Sequence, residues 1–259
     1  MIIPADILTT FSPITLAEMD EVKLMNRRDT KFVLPVSGLA TILTKLQPHY
    51  ALVNIEGHLY TTYRTLYFDT VDFKLYQKHH SGHLNRYKVR HRTYVETNVG
   101  FLEVKFKNNK GRTQKDRIKQ KEVELKWTEK SEIFLNKFTP YVPNELKPAL
   151  WVNYKRITLV GKLAKERVTI DFELEFKHAT NTMNVGNMVI VEVKQGTKSK
   201  SKVLEILKEN KIKEAAISKY CFAAQCLFPE LKRNNFKEKI HSIHKILAND
   251  KSIQLASNF

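Results

Sequence analysis

The sequence predicts an α+β fold: an antiparallel β-barrel enclosing a tunnel, with flanking helices. Three observations carry this. Helical patterns stand at both ends of the chain and strand-like patterns fill the middle, an order that favours one antiparallel sheet over alternating βαβ units. The strand-like segments are joined by short turns at residues 81–82, 98–100 and 108–111, which suit antiparallel neighbours. Several of these strands alternate charged residues with apolar ones, so each has one charged face.

The elements follow in order. The opening MIIPADILTTF has no basic segment ahead of a long apolar run, so no signal peptide is expected. No stretch reaches the ~18–20 apolar residues of a membrane span. Ser12 and Pro13 read as the N-cap and first turn of a helix carrying Leu16, Met19 and Val22. NRRDTKFVLP reads as a strand stopped by Pro35, and Ser37 opens a helix with Leu39, Ile42, Leu43 and Leu46 on one face. YTTYRTLYFDT, LNRYKVRHRTYV, GFLEVKFK and TQKDRIKQKEVELK then read as strands. A helix over residues 128–138 precedes a loop with Pro140, Pro143 and Pro148, and strands resume at ALWVNYKRITLVGK, RVTIDFELEFK and NMVIVEVK. Helices over residues 199–210 and 217–227 close a domain of residues 1–230. Residues 231–259 form a basic tail with Phe236, Ile240, Ile243 and Leu247 at amphipathic spacing. Peripheral contact with a membrane surface and a solvated tail are both open readings of it. Cys221 and Cys226 do not share a helix face, so reduced thiols and a cytoplasmic location are expected.

Charge points to the partner. Lys and Arg outnumber Asp and Glu 44 to 27, a formal charge of +17, which favours an acidic ligand. Arg86, Lys88, Arg90 and Arg92 stand at every second position of one strand. That row covers roughly 20 Å at ~3.3 Å per residue. Unpaired cations in a row repel one another, so the row serves a polyanion better than it serves the fold. The pattern recurs in Arg27/Asp29/Lys31, Glu103/Lys105, Lys115/Arg117/Lys119, Glu122/Glu124/Lys126 and Glu192/Lys194. If the strands close on themselves, these faces line an interior filled by anion, with the apolar faces under the helices. Arg supplies planar bidentate contacts to phosphate and Lys a point charge. Interleaved glutamates suit a divalent cation held beside the phosphates. The competing reading is a solvated outer face with Glu and Lys paired across strands. Nucleic acid is not expected, because base stacking needs aromatics among the cations and Tyr87 faces away from the tetrad. His79, His80 and His83 lack zinc spacing and read as surface histidines. Trp127 and Trp151 read as core, and Asp69 and Asp72 as a strand end and helix cap.

The segments RRDTKFVL, TLYFDT, RYKVRHRTY, FLEVKFK, NYKRITL, RVTIDFELEF, VEVK and ISKY occur in that order between Asn26 and Tyr220. In these residues the chain resembles the VTC (vacuolar transporter chaperone) domain, the polyphosphate polymerase branch of the triphosphate tunnel metalloenzymes. The resemblance implies a basic tunnel. It also implies transfer of the terminal phosphate of ATP to a growing polyphosphate chain, with a divalent metal, Mn or Mg. It assigns Lys88, Arg90, Arg156 and Lys219 to catalysis. Lys31, Lys105, Tyr154, Arg167 and Ser218 become phosphate-binding residues, with Lys115 or Arg117 at the next basic position, and the charge alternation read above adds Arg86, Arg92 and Lys194. The resemblance makes Glu192 the metal ligand, and the interleaved glutamates of the charged strand faces add Glu103 or Glu124 as candidate helpers. Two positions depart from the family pattern. Ala216 stands where the yeast-type pattern has lysine, with Lys213 as a substitute, and Lys88 stands where the eukaryotic pattern has arginine. Without a phosphate-sensing helical domain or membrane segments, the chain resembles a free-standing bacterial type. A triphosphatase of the same fold and a non-catalytic polyphosphate-binding module are the alternatives.

Overall fold

Strands with one charged and one apolar face must bury the apolar face under something, and here helices do so. The computed structural model describes residues 5–21, 27–196 and 200–248. In chain order the helices are α1 (Ala5–Thr9), α2 (Leu16–Glu21), α3 (Leu39–Leu46), α4 (Lys74–His80), α5 (Glu129–Phe138), α6 (Lys202–Glu209), α7 (Lys219–Leu227) and α8 (Lys237–Ala248). The strands are β1 (Ser12–Ile14), β2 (Arg27–Pro35), β3 (Tyr50–Val53), β4 (Thr61–Asp69), β5 (Arg86–Tyr94), β6 (Val99–Lys107), β7 (Thr113–Lys119), β8 (Lys147–Gly161), β9 (Glu166–His178), β10 (Asn181–Val185) and β11 (Met188–Gly196).

All eleven strands join one sheet, whose main path runs β2-β11-β9-β8-β4-β5-β6-β7. Every pairing is antiparallel except β1 with β3. The edge strands β2 and β7 are not paired with each other among the described residues. The sheet still curls far enough for Lys31 of β2 and Lys115 of β7 to line one cavity. Residues 214–217 run along the β2 edge, where Ala215 donates its N–H to the Lys31 carbonyl at 2.7 Å.

Two apolar layers cover the outer face. Leu39, Ile42, Leu43 and Leu46 of α3 and Val203, Ile206 and Leu207 of α6 pack on Phe32, Val191 and Val168. Phe134 and Leu135 of α5 pack on Val89, Leu102 and Val104. A third cluster fills part of the inner face, where Phe222, Ala223 and Ala224 of α7 and Ile243 and Leu247 of α8 meet Val33, Val152, Phe176 and Ile190. The inner face left uncovered by α7 and α8 is the charged one.

Four local expectations change. Ser12 and Pro13 open no helix. They sit in β1, paired with Ala51 and Leu52, and the helix begins after Thr15, which exchanges hydrogen bonds with Glu18 in a capping box. Val22 lies outside the described residues. The helix expected at Ser37 begins at Leu39, after a single 3-10 turn. The strand at residues 113–126 stops at Lys119, because Gly100 lets the chain pass so close that an added Cβ would lie 2.3 Å from the Gln120 carbonyl oxygen. Glu122, Glu124 and Lys126 are therefore in no strand. Residues 199–210 form a helix only from Lys202, and residue 199 lies outside the described residues.

Candidate phosphate-binding tunnel

The cation row on β5 is built by strand alternation, and the ladder then decides what it faces. In register, Arg86 stands opposite Lys107, and Lys88 opposite Lys105. Lys105 in turn stands opposite Lys115 on β7. Like charges directly opposite across a ladder are destabilising. The solvated-face reading required opposite charges at these positions. It holds for the Arg90–Glu103 and Glu103–Arg117 rungs and for the Lys31–Glu192 and Asp29–Lys194 rungs of β2 and β11, but not for these.

These side chains enclose a cavity of about 570 Å³. Twelve Lys and Arg residues line it against three carboxylates, Asp29, Glu192 and Glu214. Of the residues singled out from sequence, Lys31, Arg86, Lys88, Arg90, Arg92, Lys105, Lys115, Tyr154, Arg156, Glu192, Lys194, Ser218 and Lys219 line it. Strands β2, β5, β6, β7, β8 and β11 and the start of α7 thus converge on one volume. α7 begins at the cavity wall, so its N-terminal dipole adds to the positive potential.

Four candidates are placed elsewhere. Glu124 accepts hydrogen bonds from the Thr128 N–H and the Ser131 hydroxyl, so its carboxylate secures the start of α5 instead of facing the cavity. Glu103 lies beside the cavity wall, where it accepts the Arg90 Nε–H at 2.6 Å and fixes that guanidinium. Arg117 lies over the Phe101 ring at 4.4 Å, which leaves Lys115 as the cavity cation of β7. Arg167 donates to the Met19 carbonyl and is not in the lining. Lys213, the substitute for the absent lysine, lines an outer groove with Lys208 and Lys211, while Ala216 lines the tunnel.

Partners hold the cations in place. Lys88 donates to the Ser218 hydroxyl at 2.7 Å, and burial lowers its pKa. Asp171, only 1% exposed, takes both nitrogens of the Arg156 fork at 2.5 and 2.8 Å and also the Lys219 ammonium. Burial opposes ionisation of Asp171, but Arg156 and Lys219 outweigh it and bring its pKa down to about 2. Arg92 lies 5.2 Å from the Tyr63 ring, and its buried Nε has no partner among the described residues. A guanidinium held this way has donors left for an anion.

Sequence reasoning missed several lining residues, four of which bear on the site. Lys107 continues the alternation of Glu103 and Lys105 and was legible. Tyr67 stands opposite Arg90 in the β4–β5 ladder. Burial raises its pKa, but the field of Arg90, Arg92 and Lys88 prevails and leaves it below the ordinary value. His79 and Lys239 come from α4 and α8, and only the tertiary fold brings them to the cavity.

A model of the VTC domain matches residues 26–228. The chain belongs to the VTC domain family. That membership ties the tunnel to polyphosphate- or triphosphate-related enzyme chemistry of a fold that generally depends on a divalent metal. Among solved structures the chain is similar to the PH1819 protein of Pyrococcus horikoshii OT3. The two are 11% identical over 77% of this chain and 98% of that one, with a TM-score of 0.43. It is also similar to the putative adenylyl cyclase HpAC1 of Hippeastrum, reported to have a dominant triphosphatase activity. Here the identity is 15% over 78% of this chain and 96% of that one, with a TM-score of 0.45. No curated protein matches the chain. Among the described residues no helix is long and apolar enough to cross a membrane.

Of the carboxylates that line the tunnel, Glu192 is the one singled out from the sequence for a metal. Burial opposes ionisation of Glu192, but Lys194 at 2.9 Å and Lys31 at 4.0 Å outweigh it and hold its pKa far below the ordinary value. No group of three or more His, Cys, Asp or Glu side chains that could cage a metal exists among the described residues. A magnesium-like ion that arrives on phosphate oxygens needs only one or two protein carboxylates, and Glu192 fits that requirement.

Two predictions arise here. The Lys105 side chain is exposed within the cavity; its partial withdrawal from bulk water first, then Lys88, Lys115, Lys31 and Arg90, lower its pKa to about 7. The unfolded chain keeps this proton up to the ordinary lysine range. The free protein is therefore expected to gain stability as pH rises above 7, where the unfolded state binds more protons. Anion affinity has the opposite sign, since it needs Lys105 charged. Tripolyphosphate titrations across pH 7 should weaken more in the wild type than in Lys105→Arg, a comparison that cancels the ligand's own titration. Glu124→Ala is expected to cost about 1 kcal/mol through the lost support of the α5 start, while phosphate turnover stays at the wild-type rate. A thermal melt alongside an activity assay checks both halves.

Proposed function

We propose that this VTC domain is a polyphosphate polymerase that transfers the terminal phosphate of ATP to a polyphosphate chain inside the tunnel. The observation that carries the reading is the register of β5, β6 and β7, which sets Arg86 against Lys107, Lys88 against Lys105, and Lys105 against Lys115. Such a surface repels itself, and a linear polyanion would screen it.

The chemistry needs position and charge neutralisation more than covalent help. Arg90, fixed by Glu103, and Arg156, fixed by Asp171, grip phosphate oxygens from two sides of the cavity. Lys88 and Lys219, at the start of α7, place positive charge beside the transferring group. A terminal oxygen of the acceptor chain attacks the γ-phosphorus of ATP. The bond from that phosphorus to the β–γ bridging oxygen breaks, ADP leaves, and the chain is one phosphate longer. The attacking oxygen is already anionic, so no residue has to remove a proton. Glu192 would hold the divalent metal, manganese or magnesium, whose charge offsets that of the phosphates. The free thiols Cys221 and Cys226 suit a cytoplasmic setting, where ATP is the donor.

Added polyphosphate tests this reading against a triphosphatase. A polymerase uses the chain as acceptor, so short polyphosphate should speed ADP release from ATP. A triphosphatase would be slowed by it, as by any competitor for the cations. A binding module would release no ADP with or without it.

A further inference from the structure

His79 occupies an unusual place for a histidine. It lines the tunnel at the end of α4, and its Nδ1 is buried with no partner among the described residues. The charged groups that act on it come from three other elements: Arg86 and Lys88 of β5, Lys105 of β6 and Lys239 of α8. Burial first, and these cations after it, push its pKa down to about 2.

The wall beside β5, where α4 lies, is fastened by the chain that leads into α8. Asn235 donates its backbone N–H to His80 Nε2 at 3.2 Å and its side-chain amide to the His80 carbonyl at 3.0 Å. Phe236 then packs against the rings of His80 at 5.2 Å and His79 at 6.1 Å. The Lys239 ammonium lies 5.7 Å from the Phe236 ring centroid, facing the cavity. Residues 234–248 lie past the segment that matches the VTC domain. This part of the tunnel wall is therefore contributed by chain outside the matched region.

We propose that His79, Lys239 and Arg86 form a phosphate subsite on the α4–α8 wall, and that His79 takes up a proton as a phosphate group enters it. The proposal rests on the reading of the cavity as a phosphate tunnel. In the free protein an imidazole ringed by cations stays neutral, with one donor and one acceptor nitrogen. A phosphate among those cations reverses the local field, and the protonated ring then offers it a second donor. His79 thus serves as a cation that exists only when the site is filled.

Nuclear magnetic resonance of the histidine rings in the full chain tests this, with the His79 signal identified by its loss in His79→Asn. In the free protein the signal should keep its neutral position between about pH 5 and 8, where an ordinary histidine titrates. Saturating tripolyphosphate at about pH 6 should move it to the imidazolium position. Lys239→Ala, at an exposed position, should weaken tripolyphosphate binding roughly tenfold in calorimetry. If tripolyphosphate binds while the His79 signal stays neutral and Lys239→Ala binds as tightly as wild type, the subsite is overturned and the tunnel reading stands. If tripolyphosphate does not bind at all, both fall together.

Discussion

Glu192→Gln is expected to abolish metal-dependent phosphate transfer, by at least 100-fold, while tripolyphosphate binding is kept or strengthened. The two effects separate because Glu192 is the tunnel carboxylate held between Lys194 and Lys31. As the ligand for a divalent ion, its loss removes charge neutralisation at the transferring phosphate, a contribution of several kcal/mol. As a negative charge among cations, its loss makes the cavity more attractive to anions. Turnover assays with added metal, paired with calorimetry on tripolyphosphate, read both. Equal loss of binding and turnover would assign Glu192 to folding instead.

Asp171→Asn should produce the largest loss of stability of any single change in the site. Asp171 is 1% exposed and holds both Arg156 and Lys219, whose side chains are 14% and 16% exposed. Removing one charge from a buried network strands its partners, at a cost of about 3–5 kcal/mol. Tripolyphosphate should restore part of that stability, because a ligand that binds only the folded state adds about 2.7 kcal/mol at 100 times its Kd. Melting curves with and without tripolyphosphate would show a large drop and a partial recovery. A drop without recovery would mean that the two cations do not contact the anion.

Much of the fold was legible because charge alternation and turn chemistry agree along the chain. Residues 86–94 and 99–107 could be read as paired strands from Arg86, Lys88, Arg90 and Arg92 and the turn at residues 98–100 alone. What failed had no local signal. Ser12 and Pro13 resemble a helix start, and only pairing with β3 makes them a strand. β10 is a short polar run, NTMNV, ordered by its ladder with β9. Glu124 fits the alternating charge pattern but lies beyond the point where Gly100 lets β7 end. The site divides along the same line. Strand cations can be placed by parity, whereas His79 and Lys239 reach the cavity through the packing of α4 against Asn235 and Phe236 ahead of α8. Arg117 and Lys115 have the same parity, so the sequence left them equal. Packing separates them, because Arg117 finds the Phe101 ring.

Synthesis of polyphosphate from ATP in this tunnel, as proposed, leaves a product that can be seen directly. The most direct measurement incubates the purified protein with ATP and Mn²⁺, with Mg²⁺ and metal-free controls, and resolves the products on a gel stained for polyphosphate. A polymerase gives a metal-dependent ladder that is lost in Glu192→Gln and kept in Glu124→Ala. Orthophosphate release with no polymer, or no product from a protein that still binds polyphosphate tightly, would contradict the proposal.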